Sequence, residues 1–136
     1  MKTLKTLFIM LALGFATTTA TAQETRYSYS AYYSYGTATS DCINMKKAYV
    51  SPIVSHSFDK DDSPLAYTNK MNDLKRKWTT KCKAQFDIKG YCFGHGPDIW
   101  YKSRSETDEE RDEEIANLKR KGYTVYDSFS FGFYID

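Results

Sequence analysis

The stretch RYSYSAYYSYG, residues 26–36, decides the expected fold because it alternates with a period of two. Four tyrosines and an alanine share one parity (Tyr27, Tyr29, Ala31, Tyr33 and Tyr35), and mostly small residues share the other (Ser28, Ser30, Tyr32, Ser34 and Gly36). Alternation with tyrosine enrichment is typical of a β-strand, and a low-complexity tail requires no such register. We therefore expect a strand with a packed aromatic face, and Tyr32 on its serine-rich face.

The C-terminal stretch YTVYDSFSFGFYID, residues 123–136, repeats this alternation and predicts a second strand of the same kind. Tyr126 and Tyr134 lie on its small-residue face, as Tyr32 does on the first strand. Tyrosine rings on a hydroxylated surface suit sugar stacking or protein contact. Tyr32, Tyr126 and Tyr134 are therefore the candidate ligand-binding residues, and the alternative is that they merely cover a partly exposed sheet.

Two further segments read as strands. Residues 48–55, AYVSPIVS, contain Pro52, which cannot donate to a ladder and therefore predicts an edge strand or a bulge. Residues 86–93, FDIKGYCF, predict the next strand, with Cys92 on the parity of the core residues Phe86 and Ile88. A short extra strand is possible at residues 99–102.

Two helices are predicted between these strands. The first begins with Ser63 as N-cap and Pro64 at the first helical position. Its apolar stripe follows three- and four-residue spacing: Tyr67, Met71, Leu74, Trp78 and Cys82. The second is expected to start with a capping box of Thr107 and Glu110 and to end at Gly122 in a left-handed cap.

The resulting order is β-β-α-β-α-β, which predicts an α+β domain over residues 23–136. We expect a four-stranded, mostly antiparallel sheet with two helices on one face. No internal repeat or linker divides the chain.

Residues 1–22 have the order of a secretory signal peptide: Lys2 and Lys5, an apolar run, then small residues ending at Ala22. We expect export to the periplasm or the exterior, and the sequence does not choose between them. The apolar run is too short to anchor the chain in a membrane, and no other segment is long and apolar enough to span one.

The charge balance follows from the same boundary. Of 19 basic and 17 acidic residues in the chain, the two lysines fall in the predicted signal peptide, which leaves 17 of each. A neutral mature chain predicts neither nucleic acid nor an anionic membrane as a partner.

Three cysteines allow at most one intramolecular disulfide in an oxidising compartment. Cys82 and Cys92 are the favoured pair because they would tie the first helix to the next strand. Cys42 is the alternative partner of Cys92, and the Cα separations decide between them.

Few residues of the sequence are candidates for catalysis or metal binding. Cys92 and His95 lie three apart and suggest a cysteine nucleophile with a histidine base, but a core thiol is poorly placed for this role. A zinc site from these residues with Cys82 and His56 lacks the usual paired spacing. We expect no metal, no cofactor and no enzymatic activity.

The second half of the chain resembles small exported bacterial proteins of unknown function. The matching residues span roughly positions 48–131: Cys92, Glu110, Arg111, Asp112, Ile115, Gly122, Tyr123 and Val125. This resemblance implies an exported α+β domain and no known active site. The helix followed by GYTVY is also similar to the peptidoglycan-binding SPOR domain, which binds glycan on its sheet, although the paired GxF strand signatures of that domain are missing here.

Three functions follow as hypotheses. The leading one is an exported, non-enzymatic domain that binds an envelope glycan or a protein through its sheet. The second is a small enzyme using Cys92 and His95. The third is a subunit whose sheet is completed by a strand from a partner chain.

Overall fold

The computed structural model describes residues 22–36, 41–88 and 92–133. Six strands and two α-helices follow in chain order, with a short 3-10 turn at Asp41–Asn44: β1 (Gln23–Ser28), β2 (Ala31–Ser34), β3 (Lys47–Val50), β4 (Val54–Asp59), α1 (Pro64–Phe86), β5 (Phe93–Gly96), α2 (Arg104–Arg120) and β6 (Thr124–Tyr126). The predicted α+β class is confirmed. The predicted signal peptide, apart from Ala22, lies outside the described residues.

The first four strands form one bent hairpin. Antiparallel pairing aligns Ser28 with Val54 in β1–β4, and Ala31 with Val50 in β2–β3. Two residues therefore lie between β1 and β2, whereas three lie between β3 and β4. One extra residue on one side of an antiparallel pair is the definition of a β-bulge. Pro52 occupies this bulge, as its missing N–H group predicts.

Two serines hold the bend together. The Ser51 N–H group donates to the Ser30 carbonyl at 2.9 Å, and the Ser30 N–H group donates to the Ser51 hydroxyl at 2.8 Å. Both residues are buried. The Ser51 side chain thus satisfies a backbone N–H group at the strand break, where an apolar side chain would leave that group unpaired, whereas the buried Ser30 hydroxyl has no hydrogen-bond partner among the described residues.

The main sheet has the strand order β5-β2-β3-β6. Its β5–β2 and β2–β3 pairs are antiparallel and its β3–β6 pair is parallel, so the expected four-stranded, mostly antiparallel sheet is present. The bend sends β1 and β4 into a separate two-stranded sheet, which the expected order β-β-α-β-α-β did not include. The two strands of similar pattern, β2 and β6, flank β3 and are not neighbours.

The helices lie on opposite faces of the main sheet, so the prediction of two helices on one face is wrong. One face packs against α2 and mixes small, aliphatic and tyrosine side chains: Tyr29, Ala31, Ala48, Val50, Ile115 and Leu118 are buried there, and Tyr33, Tyr101 and Tyr123 pack against them. The other packs against α1 and is aromatic: Tyr32, Tyr49, Trp78, Phe93 and Phe129. Because both parities of the central strands are apolar, both faces need a cover.

Helix α1 also covers the two-stranded sheet. Val54 and Phe58 of β4 pack against Met71 and Leu74 of α1. The predicted stripe is therefore confirmed, with Tyr67 half-buried and the other four residues buried. A single amphipathic face thus serves both sheets.

The end of α1 corrects the predicted strand 86–93. The helix continues through Phe86, whose ring packs on Tyr49 and Tyr126 at centroid distances of 4.7 and 5.0 Å. Asp87 then ends it with a left-handed conformation, φ 45°. The ring contacts inside the core extend the helix past the point where the sequence pattern suggests a strand.

The N-cap of α2 is Ser103, so the predicted capping box of Thr107 and Glu110 is wrong by one turn. The Ser103 hydroxyl accepts from the Glu106 N–H group at 3.1 Å, and Thr107 is buried inside the first turn. At the other end, Gly122 has φ 86°, and the Tyr123 N–H group donates to the Leu118 carbonyl at 3.0 Å. The predicted left-handed C-terminal cap is confirmed.

The C-terminal strand is shorter than predicted, since β6 ends at Tyr126. Beyond it, Phe129 stacks on Trp78 at 4.8 Å and Phe133 packs with Trp100 at 6.3 Å. The alternating phenylalanines therefore cover α1 without forming a strand in the described residues. Arg111 of α2 holds the turn from β6 by donating to the Asp127 carbonyl at 3.1 Å.

Candidate functional site

The sheet surface predicted to bind ligand is covered. Tyr32 is only 3% exposed and packs between Phe93 and His95, with ring centroids 4.7 and 4.9 Å away. Tyr126 is half-buried and stacks on Tyr49 at 5.1 Å. Tyr134 lies outside the described residues. The expectation that Tyr32 reaches the surface is wrong because α1 covers the serine-rich face of β2.

The disulfide joins Cys42 to Cys92, with Cα atoms 5.5 Å apart, so the favoured Cys82–Cys92 pairing is wrong. The backbone brings Cys92 beside the end of β2, where its carbonyl accepts from the Tyr35 N–H group at 2.8 Å. Cys42 follows β2 in the chain and reaches the same place. Cys82 lies instead in the core, because it belongs to helix α1, which continues to Phe86.

Cys82 is a free thiol that is 0% exposed. Burial raises the pKa of this thiol to about 12, and nearby Lys81 offsets only part of the effect. A neutral, inaccessible thiol is neither a nucleophile nor a metal ligand. Cys82 therefore serves the packing of the aromatic face.

The contacts of the His95 side chain lie inside the protein. Its Nε2 atom lies 2.6 Å from the Thr79 hydroxyl, and its ring stacks on Tyr32. Burial, followed by the charge of Lys75, lowers the His95 pKa to about 4, against a smaller opposing effect of Asp98. Because Cys92 is in a disulfide, no thiol accompanies this histidine as the Cys92/His95 hypothesis requires.

Within the described ranges, no group of three or more histidine, cysteine or acidic side chains is placed to hold a metal ion. His56, the remaining candidate, lies on β4 with its ring 4.7 Å from Phe58. The structure therefore does not bring together the set of Cys82, Cys92, His56 and His95.

A groove of about 450 Å³ runs between the first half of α1 and the segment that links β5 to α2. Its base contains Arg26 of β1, and we call it the Arg26 groove. Its aromatic wall is formed by Tyr67 and Trp100, and its polar rim by Thr68, Asn72, Lys75 and Asp98.

Arg26 has hydrogen-bonding capacity to spare. One guanidinium nitrogen donates to the Glu24 carboxylate at 2.9 Å, and the guanidinium carbon lies 5.9 Å from the centre of the Tyr67 ring. The buried Nε atom has no acceptor among the described residues. Because this Nε atom is buried, it does not reach a ligand in the groove, and the donors that the guanidinium can offer there are those of its terminal nitrogens.

The aromatic wall is rigid. Tyr67 stacks on Phe58 at 4.2 Å, and the Trp100 indole N–H group donates to the Tyr67 carbonyl at 3.2 Å. At the rim, Lys75 and Asp98 form an ion pair. Thr68 and Asn72 are exposed one helical turn apart, so their side chains point along the same flank of α1.

Sequence reasoning missed the Arg26 groove because its residues come from three distant segments. Arg26 follows the even parity of β1, on the side opposite to Tyr27 and Thr25. Nothing in the local pattern distinguishes it from a surface arginine. Only the packing of α1 and the Trp100 segment around β1 makes it the base of a groove.

Comparison of the chain with protein-family models, with curated proteins and with solved structures found no significant match. In the part of the chain that the structure describes, none of the helices has the length and apolar character needed to cross a membrane.

Proposed function

We propose that this protein is an exported, non-enzymatic binding domain that takes an envelope glycan in the Arg26 groove. The observation that carries the proposal is the combination of aromatic side chains held by their neighbours with polar side chains around one groove. The proposal keeps the glycan hypothesis of the sequence but moves the site from the sheet to the flank of α1.

The groove has the chemistry that a sugar requires. A sugar ring has apolar C–H faces and a rim of hydroxyl groups, so it needs both aromatic surface and planar polar side chains. Tyr67 supplies the part of its ring that Phe58 and Arg26 leave uncovered, Asn72 supplies a donor and an acceptor, and Asp98 supplies an acceptor. A volume of about 450 Å³ lies in the usual range for small-molecule sites.

Binding is favoured over catalysis by the state of the candidate reactive groups. Cys92 is in a disulfide, Cys82 is buried, and the His95 pKa is lowered far below neutrality by burial. A general base for chemistry at neutral pH needs an accessible group with a pKa near the working pH. None of these three groups meets that requirement.

Export is supported by two independent features. The first 22 residues have the order of a signal peptide. The Cys42–Cys92 pair at disulfide distance suits an oxidising compartment. An exported domain would meet the glycans of the cell envelope.

The test is a matched pair of asparagine variants on α1. Asn72→Ala removes a rim group of the groove, whereas Asn69→Ala changes an exposed asparagine one turn away that does not line it. Loss of one neutral hydrogen bond, about 1 kcal/mol, predicts an affinity reduced about fivefold for Asn72→Ala only. Binding is measured by calorimetry with N-acetylglucosamine oligosaccharides and by sedimentation with purified peptidoglycan.

Failure of the wild-type protein to bind both probes would reject the glycan proposal. Equal losses for Asn72→Ala and Asn69→Ala would show that binding takes place outside the groove. Circular dichroism of both variants checks that α1 remains folded.

A further inference from the structure

The two helices carry opposite charge. Helix α1 has one acid, Asp73, and six basic residues: Lys70, Lys75, Arg76, Lys77, Lys81 and Lys83. Helix α2 has four basic residues and seven acids: Glu106, Asp108, Glu109, Glu110, Asp112, Glu113 and Glu114. Because the helices lie on opposite faces of the main sheet, a chain that is neutral over residues 23–136 has a basic side and an acidic side.

The basic side contains a groove of about 640 Å³ between α1 and the C-terminal segment. It is lined by Arg76, Lys77, Thr80, Lys81 and Phe131, and we call it the basic groove. Arg76 is exposed and pairs with Asp73 at 2.6 Å, and Lys77 lies 3.9 Å from the same carboxylate and donates to the Phe133 carbonyl. Lys81 has no carboxylate partner among the described residues. The groove therefore presents three cations against the single carboxylate of Asp73, beside an aromatic ring.

The acidic side lacks internal compensation. None of the seven acids of α2 forms an ion pair within the described ranges. Arg111, the basic residue in their midst, turns inward and donates to the Ser51 carbonyl at 2.7 Å and to the Asp127 carbonyl. Beside Glu110, Glu113 and Glu114, the side chain of Ile99 is 53% exposed. Negative charge and an apolar side chain thus meet at this surface.

We propose that the acidic outer face of α2 docks into the basic groove of a second copy of this chain. Each surface supplies what the other lacks: carboxylates and Ile99 on one side, cations and Phe131 on the other. Charge complementarity of this kind brings surfaces together and fixes their orientation.

The position of the two surfaces determines the form of the assembly. A contact between different patches is heterologous, and it builds an open chain when the patches face away from each other. The basic groove and the acidic face lie on opposite sides of the sheet. The copies therefore stack head to tail and do not close as a dimer.

The strength of the contact depends on salt. Exposed ion pairs are individually weak, and the Debye length falls from roughly 30 Å at 0.01 M salt to about 3 Å at 1 M. We therefore expect association at high protein concentration in low salt, and monomers in high salt.

The experiment is analytical ultracentrifugation of the full mature chain with two charge-reversed variants. Arg76→Glu/Lys81→Glu makes the basic groove acidic, and Asp112→Lys/Glu113→Lys makes the acidic face basic. In low salt, the weight-average mass of the wild type should at least double as its concentration rises about a hundredfold. Each variant alone should stay monomeric, and an equimolar mixture of the two should associate again.

Lys60→Glu/Lys102→Glu is the matched control for Arg76→Glu/Lys81→Glu, because it makes the same change in net charge at exposed lysines outside both surfaces. It should associate as the wild type does. A wild type that remains monomeric in low salt, association that high salt does not reduce, or a variant mixture that fails to associate would each overturn the proposal. Asn72→Ala should leave association unchanged, so this test is independent of glycan binding.

Discussion

The two faces of the main sheet are built from the same strands but pack in different ways. Alternate residues of β2 and β3 contribute Ala31 and Ala48 to the α2 face, and Tyr32 and Tyr49 to the α1 face. The α2 face combines small and aliphatic groups with tyrosines such as Tyr29 and Tyr33. The α1 face is filled by rings, which bring polar atoms into the core and bond them there, as Trp78 does by donating to the Tyr49 carbonyl at 3.0 Å. Adjacent residues of one strand can therefore support a mixed core of aliphatic and tyrosine side chains on one face and a mainly aromatic core on the other.

The largest expected difference between the two faces is in the free energy of unfolding that is lost when a buried side chain is truncated and leaves a cavity. Trp78→Ala removes a fully buried ring that contacts Phe129 and Phe131, and should lower the free energy of unfolding by about 3–5 kcal/mol. Leu118→Ala on the α2 face should cost about 2–3 kcal/mol. Urea denaturation of both variants measures the difference. A larger loss for Leu118→Ala would show that the α2 face dominates stability.

The disulfide lies at the β5 edge of the sheet, apart from the free thiol of the α1 face. Cys42→Ser/Cys92→Ser opens a loop of 50 residues and should cost about 3–4 kcal/mol. Alkylation followed by mass spectrometry checks the pairing: no cysteine should react in the native protein, and only Cys82 should react after denaturation without reductant. Labelling of Cys42 in that denatured sample would contradict the Cys42–Cys92 bridge.

The α1 face should also make stability depend on pH through His95. The His95 pKa is about 4 in the folded protein and about 6.5 when unfolded, so the unfolded chain binds the extra proton between these values. This contribution is fully present above pH 6.5 and is lost as the pH falls toward 4. Allowing for partial exposure, we expect a loss of about 1–2 kcal/mol.

Denaturation of the wild type and of His95→Gln at pH 7.5 and pH 4.5 isolates this effect, since glutamine keeps a polar partner for Thr79. The variant should lose less stability than the wild type over this range. An NMR titration that places the His95 pKa above 6 would contradict the buried, neutral state of the ring.

The smallest expected effect on stability comes from the N-cap residues of the two helices. The Ser103 hydroxyl caps α2, whereas Ser63 at the start of α1 makes no side-chain cap bond. Ser103→Ala should therefore cost about 1 kcal/mol and Ser63→Ala much less. Equal costs in thermal denaturation would show that the caps contribute through something other than this hydrogen bond.

The Arg26 groove shows the limit of sequence reasoning about a site. Tyr32 was expected at the surface because it shares the parity of the serines, but those serines are buried themselves. Arg26 and Asn72, by contrast, stand in patterns that indicate ordinary solvent-exposed residues. A site residue is recognisable in the sequence only when its local pattern differs both from that of packed residues and from that of solvent-exposed residues. The patterns around Tyr32, Arg26 and Asn72 do not differ in this way.

The sequence by itself determined the features that depend on neighbouring residues. These are the strand character of the tyrosine-rich stretch, the start of α1 at Pro64, its buried stripe, and the left-handed cap at Gly122. The sequence limited Pro52 to an edge strand or a bulge, and only the tertiary structure chose the bulge. The tertiary structure alone also decided the Cys42–Cys92 pairing, the opposite placement of the helices and the resulting separation of charge. These features depend on which distant surfaces bury each other, and the aromatic residues on both parities of the strands could be satisfied only by a helix on each side.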